Sequence, residues 1–226
     1  MARYTFAGFD AFSVVLTLPR HGLWHADVEL NANDVGSISG QQPLIVGNLT
    51  LRGSASGRAG IFKDHAKLRV IGGASGLSGI AVAKGYQNAT FGRIFTDVLT
   101  AAGEKVSPTC DASVMGIQFP KWSTLARPLN LTLEGLVQRA PTGTLWRTLP
   151  DGTFWVGSES WPDSGLVKGR DYQLVMEEAN LQRQVLGVES PSLLPGTLLM
   201  GRRVSSVTHI ATSKRIRTVA WLERTP

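Results

Sequence analysis

Cysteine is almost missing from this chain of 226 residues: Cys110 stands alone, so no internal disulfide can form and stability must come from packing or from partner subunits. No redox chemistry is indicated. Long apolar runs are missing as well. No stretch reaches membrane-spanning length, and the opening MARYTFAGFDAFSVVL lacks the basic region, unbroken apolar core and small-residue cleavage site of a secretory signal. The expectation is synthesis in the cytoplasm without membrane anchoring. The N-x-T triplets at Asn48, Asn88 and Asn130 then carry no argument for glycosylation. Internal repeats and low-complexity segments are also lacking. What is present is a series of short apolar runs separated by turn residues. With 25 Gly, 11 Pro and 42% hydrophobic residues, the composition is that of a folded, turn-rich, β-rich chain long enough to bury a core in one large or two small domains.

Enzymatic motifs fail on spacing. His21 and His25 lie four apart in HGLWH, but the zincin pattern needs Glu directly after the first His and Gly22 stands there. Polar histidines at a turn or strand end are the reading for both. His65 and His209 are isolated. The glycines of GGASGLSG, Gly72 to Gly79, invite comparison with phosphate loops, yet no Lys-Ser or Lys-Thr pair follows, no GxGxxG is present, and neither Ser75 nor Ser78 is centred in GxSxG. A flexible linker or a close-packed turn fits better. Glu159 with Asp163, and Glu177 with Glu178, have only proximity to suggest paired carboxylates. Cys110 has no base beside it in sequence. We therefore expect no catalytic residue, no metal ligand and no cofactor.

Charge is uneven. The net charge is +6, and residues 179–226 hold seven Lys or Arg against two Glu. Arg202, Arg203, Lys214, Arg215 and Arg217 could meet nucleic-acid phosphates, but they stand in alternating strand sequence, where a solvated face or a subunit interface is the simpler reading. The tryptophans, among them Trp122, Trp146, Trp155 and Trp161, are assigned to core or interface rather than to ligand stacking. Trp146 shares a strand face with Thr144 and Thr148.

The local pattern is sharpest from Thr90 to Trp161. TFGRIFTDVLTAAG predicts a helix capped by Thr90, with Phe91, Ile94, Phe95, Val98, Leu99 and Ala102 on one face and Gly103 as its stop. LEGLVQRA predicts a second helix, capped by Thr132 and ended by Pro141, with Leu133, Leu136, Val137 and Ala140 on one face. TLWRTL and TFWVG, joined through Pro150, Asp151 and Gly152, predict a hairpin from Leu145 to Val156. Elsewhere strands are predicted at Phe12 to Leu18, His25 to Leu30, Leu44 to Leu51, Lys67 to Ile71, Tyr172 to Met176, Val185 to Val188, Arg203 to Ile210 and Arg217 to Leu222. The Gly72 to Gly79 segment would carry the chain between the first β region and the helical part.

This order of helix, "AG", extended link ASVMGIQFPKW, helix, LWRTLPDGTFWVG and closing Trp161 resembles the central hub proteins of phage baseplates, Mu-like hubs included, and more distantly the hub part of type VI secretion spikes. The closing stretch LLPGTLLMGRRVSSVTHIATSKRIRTVAWLE resembles the barrel hairpin that completes such hubs. The resemblance implies a mainly β fold with an α/β insertion: two tube-like β-barrel domains plus a small helix-containing domain. By position these are residues 1–86, 87–165 and 166–226. It further implies a non-enzymatic virion protein of the tail baseplate, a homotrimer whose six β domains match a sixfold tail tube to a threefold central spike. Its partners would be the tail tube protein, the central spike protein, other baseplate proteins and the tape measure protein. Trp24, Trp146, Arg202 and Arg203 are the candidate contact residues. Two rivals remain: a different tail component, such as a hexameric tube initiator, and a monomeric carbohydrate- or nucleic-acid-binding β module.

Overall fold

Alternating apolar residues build the first part of the chain into strands that close on themselves. The computed structural model describes residues 4–32, 35–158, 165–177, 183–186, 193–212 and 215–223. Glu159, Trp161, Asp163, Glu178, Val188 and Lys214, which figure in the expectations above, lie outside the described residues. Six antiparallel strands come first: β1 (Tyr4–Phe6), β2 (Phe9–Pro19), β3 (His25–Leu30), β4 (Gln42–Val46), β5 (Leu49–Phe62) and β6 (His65–Gly72). They pair in the order β1-β4-β5-β6-β3-β2, and β2 returns to β1 through Thr5 with Asp10 and Phe6 with Phe9. The result is a closed six-stranded barrel. Val14, Leu16 and Leu18 of β2 and Ala26, Val28 and Leu30 of β3 fill its interior. The residues between them point outward, where Asp27 pairs with Arg69 and Glu29 with Lys67, both at 3.2 Å. Such exposed pairs add little stability, but they keep the polar face in water.

The run Leu44 to Leu51, expected as one strand, is two. Gly47, at φ 63, opens a two-residue turn with Asn48, and Val46 pairs back onto Leu49. β5 then continues to Phe62, through glycines, alanines and serines that carry no readable alternation. Gly53 in β5 and Gly72 in β6 make room for Trp24: a Cβ on either would stand 2.5 Å from its indole ring.

The helical part follows as β7 (Lys84–Thr90), α1 (Phe91–Ala101), α2 (Ala112–Met115), β8 (Gln118–Thr124), α3 (Leu129–Val137), β9 (Thr144–Thr148) and β10 (Phe154–Ser158). α1 is as its periodicity predicts: Thr90 Oγ1 accepts from Arg93 N–H, Phe91, Ile94, Phe95, Val98 and Leu99 are buried, and Gly103 follows at φ 69. The β9–β10 hairpin also matches, with Trp146 opposite Val156 and Gly152 at φ 81 in its turn. α3 starts one turn earlier than expected. Thr132 is not its cap; it lies inside the helix, fully buried, with Oγ1 reaching the carbonyl of Pro128 at 3.5 Å. The link expected to be extended holds the short α2 and then β8, which pairs with β7 as a separate two-stranded ribbon. One apolar cluster, drawn from Leu77 to Val156, holds this unit together.

The last strands are β11 (Leu174–Glu177), β12 (Arg183–Leu186), β13 (Leu198–Leu199), β14 (Arg202–Thr212) and β15 (Ile216–Leu222). They are not a free-standing body. β14 pairs with the outer edge of β2 from Ser13 to Pro19, so the sheet runs on from the barrel as β2-β14-β15-β12-β11. A small cluster around Tyr172, Leu199, Val204 and Val207 packs on it. Among the described residues this strip is open, and a second closed barrel is not formed.

His209 sits in β14 between Leu16 of β2 and Thr218 of β15, with none of its surface exposed. Its Nδ1 meets Thr218 Oγ1 at 3.1 Å, and burial drives its pKa from 6.5 down to about 4. The folded chain holds this imidazole neutral, whereas the unfolded chain protonates it near 6.5, so the associated stability is complete above that value and drains away between 6.5 and about 4.

Two outcomes are expected. Gly53→Ala, which in an open strand would be harmless or favourable, should cost about 1–3 kcal/mol in urea unfolding because the methyl group collides with Trp24 and the Ile71 carbonyl. Lowering the pH toward 4 should cost the wild-type chain roughly 3 kcal/mol more than His209→Gln, measured by paired urea titrations at neutral and acid pH; equal acid sensitivity of the two proteins would refute the assignment.

Candidate functional site

The stretch His21 to Trp24 of HGLWH joins the barrel to the helical unit, each of these four residues doing so differently. His21 Nε2–H donates to both carboxylate oxygens of Glu134 on α3, at 2.8 and 2.9 Å. Its Nδ1 faces the backbone N–H of Trp146 at 3.4 Å, which requires the proton on Nε2. Gly22 N–H donates to the Trp146 carbonyl at 2.7 Å, and Thr148 N–H returns a bond to the Gly22 carbonyl at 3.2 Å. Leu23 packs on the apolar cluster of the helical unit, and Trp24 turns into the barrel core. The Trp146 indole N–H completes the network by donating to Glu134 Oε1 at 3.0 Å.

A Glu–His pair can orient a general base, but here the second imidazole nitrogen meets a main-chain N–H rather than a nucleophile. The arrangement is a crosslink. Cys110 lies elsewhere, its S–H directed to the Phe154 carbonyl at 3.6 Å and its pKa raised by burial. His25 is in β3 opposite Ile71, away from the Glu134 network. Among the described residues, no group of three or more His, Cys, Asp or Glu side chains could hold a metal ion.

The Gly-rich segment is a close-packed turn. Gly73 and Ser75 have φ of 84 and 66, and a Cβ on Gly76 would stand 1.7 Å from the Ala102 carbonyl oxygen. The loop does cradle an anion, namely the chain's own Glu104, whose carboxylate accepts from Ala74 N–H at 2.7 Å and Gly76 N–H at 3.0 Å. Burial raises the Glu104 pKa, while these two bonds act in the opposite direction. Neither Glu104 nor Glu134 is marked in sequence, since their partners lie 12 to 113 residues away.

Of the four candidate contact residues, Trp24 and Trp146 are each 2% exposed and serve as core side chains. Their rings face inward because HGLWH and β9 close the seam between two units. Arg202 and Arg203 are half-buried beside the end of the sheet, where Arg202 Nη2 donates to the Glu223 carbonyl and Arg203 Nη1 to the Gly196 carbonyl at 2.9 Å. Arg20 adds an ion pair to Glu223. Trp155 is half-buried, with its N–H on the Thr109 carbonyl at 2.9 Å and the Arg147 guanidinium 4.9 Å from the ring centre.

Exposed apolar surface is more evident at the open end of the sheet. β11 is its last strand, without a partner on its outer edge among the described residues. Val175 is 57% exposed and Trp221, two strands away on β15, is 39% exposed. At the far side of the barrel, the β5–β6 tip presents Ile61 and Phe62 to solvent. An unpaired strand edge and exposed apolar side chains are features that subunit contacts cover.

If the crosslink couples the two units, Glu134→Ala should cost about 2 kcal/mol. His21→Ala and the double variant should then close a mutant cycle with an interaction energy of order 1 kcal/mol, read from urea midpoints. Strict additivity would mean that the two side chains act independently.

No protein-family model and no curated protein sequence matches the chain. Solved structures do. The 43 kDa tail protein of prophage MuSo2 from Shewanella oneidensis matches with a TM-score of 0.69 at 13% identity, over 99% of this chain and 97% of that one. An Escherichia coli component of the type VI secretion system, described as structurally similar to the T4 bacteriophage tail proteins gp27 and gp5, matches at 0.71 and 12% identity, over 99% and 77%. A tail protein from Neisseria meningitidis MC58 matches at 0.61 and 10%, over 97% and 95%. The chain thus has the fold of these phage tail proteins and of the secretion-system component.

Proposed function

We propose that this chain is a structural virion protein, a trimeric baseplate hub that connects the sixfold tail tube to the threefold central spike. The carrying observation is the single sheet that runs from a closed barrel through β2 and β14 into a strip with an open edge at β11. One chain thereby offers two β units side by side, and three chains offer six. On this reading residues 1–86 and 166–226 form the ring and residues 87–165 stand outside it. The tail proteins with the same fold support it. Contacts would be spread over strand edges and apolar side chains rather than gathered in a pocket, as symmetric assemblies require. The tail tube, spike, other baseplate proteins and the tape measure protein are the partners this role calls for, and the tail baseplate is its location.

Light scattering of the purified chain across concentration, alone and co-expressed with its neighbouring tail genes, should give the mass of a trimer. A hexamer would favour a tube initiator instead, and a persistent monomer would overturn the hub. Val175→Asp combined with Trp221→Asp should shift the trimer to monomer, weakening association more than tenfold with an unchanged circular dichroism spectrum, because both side chains are already exposed in the isolated chain.

A further inference from the structure

The β7–β8 ribbon belongs to neither the barrel nor the open strip, and an open groove of about 1150 Å³ runs along it. Three cations from separate places converge there: Lys121 on β8, Arg127 just before α3 and Arg139 just after it. None of the three has an ion-pair partner among the described residues, and no Asp or Glu lines the groove. Arg127 is held in position by α3. Its Nη2 lies where a Cβ on Gly135 would come within 2.4 Å, and its Nε is buried with no hydrogen-bond partner. A guanidinium so fixed is a preorganised donor for a carboxylate.

Beside the cations the lining sets polar Gln87, Ser123 and Tyr86 next to apolar Phe119, Trp122 and Leu125. Phe119 and Trp122 are half-buried, with ring centroids 5.6 Å apart. Leu125, 63% exposed, continues the surface toward Val82 and Ile80, at 84% and 64%. These aliphatic groups adjoin the groove because the Val82 carbonyl accepts from Thr124 Oγ1 and Ile80 bridges to Pro128. A polyphosphate backbone would satisfy the cations but leave the aliphatic side chains in water. A polypeptide carrying both acidic and apolar side chains would cover both.

We propose that this groove docks an acidic, apolar-bearing polypeptide segment of another protein, through carboxylates on Lys121, Arg127 and Arg139 and apolar side chains on Phe119, Trp122 and Leu125. The site goes beyond the hub role and does not depend on the trimer.

The test uses the full chain and a fluorescein-labelled peptide of repeating Glu, Leu and Phe, followed by anisotropy. Saturable binding is expected, at least tenfold weaker for the same peptide with Gln in place of Glu. It should weaken as much for Lys121→Glu with Arg139→Glu, two exposed positions whose change leaves the fold intact, and also for Leu125→Asp. Light scattering should give the same mass for all variants, which separates this site from the subunit contacts. Absence of peptide binding, or binding unaffected by both sets of substitutions, would overturn the proposal. Tighter binding of oligothymidylate, lost in the charge-reversed variant, would overturn it in favour of single-stranded nucleic acid.

Discussion

A β-strand has only two hydrogen-bonding edges, and β2 must serve three partners. It does so by division along its length. One edge carries β3 from Ala11 to Thr17, while the other gives Phe9 and Asp10 to β1, closing the barrel, and Ser13 to Pro19 to β14, starting the open strip. Eleven residues are enough for this sharing. Shortening β2, or shifting its register by one, would open the barrel, detach β14 and turn Val14, Leu16 and Leu18 outward together. Burial of His209 in this seam follows from the same constraint: the imidazole lies between two paired strands that leave no route to water, and only its neutral form is tolerated there.

The helical unit is secured separately. HGLWH is one bolt, reaching α3 through His21 and the barrel core through Trp24. The tip of the β9–β10 hairpin is another, since Arg52 N–H donates to the Pro150 carbonyl at 2.8 Å and Gly152 packs against Arg52. Two attachments far apart in sequence resist rotation better than one linker could. The Gly-rich connection between the units is held down too, by the carboxylate of Glu104. Small residues there permit the close backbone approach that anion cradles exploit, and the anion is internal.

What these constraints leave over is unpaired strand edge and exposed apolar surface among the described residues. Apart from the stretch of β2 that carries β14, the barrel spends its strand edges on itself, whereas the strip leaves β11 exposed and the ribbon leaves a basic, aromatic-lined groove. The proposed hub role calls for such division: some elements satisfied internally so that the chain folds alone, others left open to association. The contact area then does the work that a pocket does in an enzyme.

α1 and the β9–β10 hairpin were legible in sequence because both are local. A capping threonine, a six-residue apolar face and a glycine stop, or two alternating runs around Pro-Asp-Gly, specify geometry through neighbours a few residues apart. The order of those elements also sufficed for the tail-protein resemblance. Where local signals competed, reading failed: Thr132 looked like a cap but is turned inward, and Leu44 to Leu51 looked like one strand although Gly47 and Asn48 reverse it. Side-chain direction was the harder matter. Trp24 and Trp146 were candidates for contact because tryptophan suits interfaces and cores alike, and only the glycines at 53 and 72 and the carboxylate of Glu134, brought near by folding, decide for the core. By itself the sequence determined the periodic elements, the absence of an internal disulfide and the kind of protein resembled. Tertiary structure decided which strand edges are consumed, which charges are paired and which surface is left open, because those outcomes depend on residues scores of positions apart meeting across one sheet.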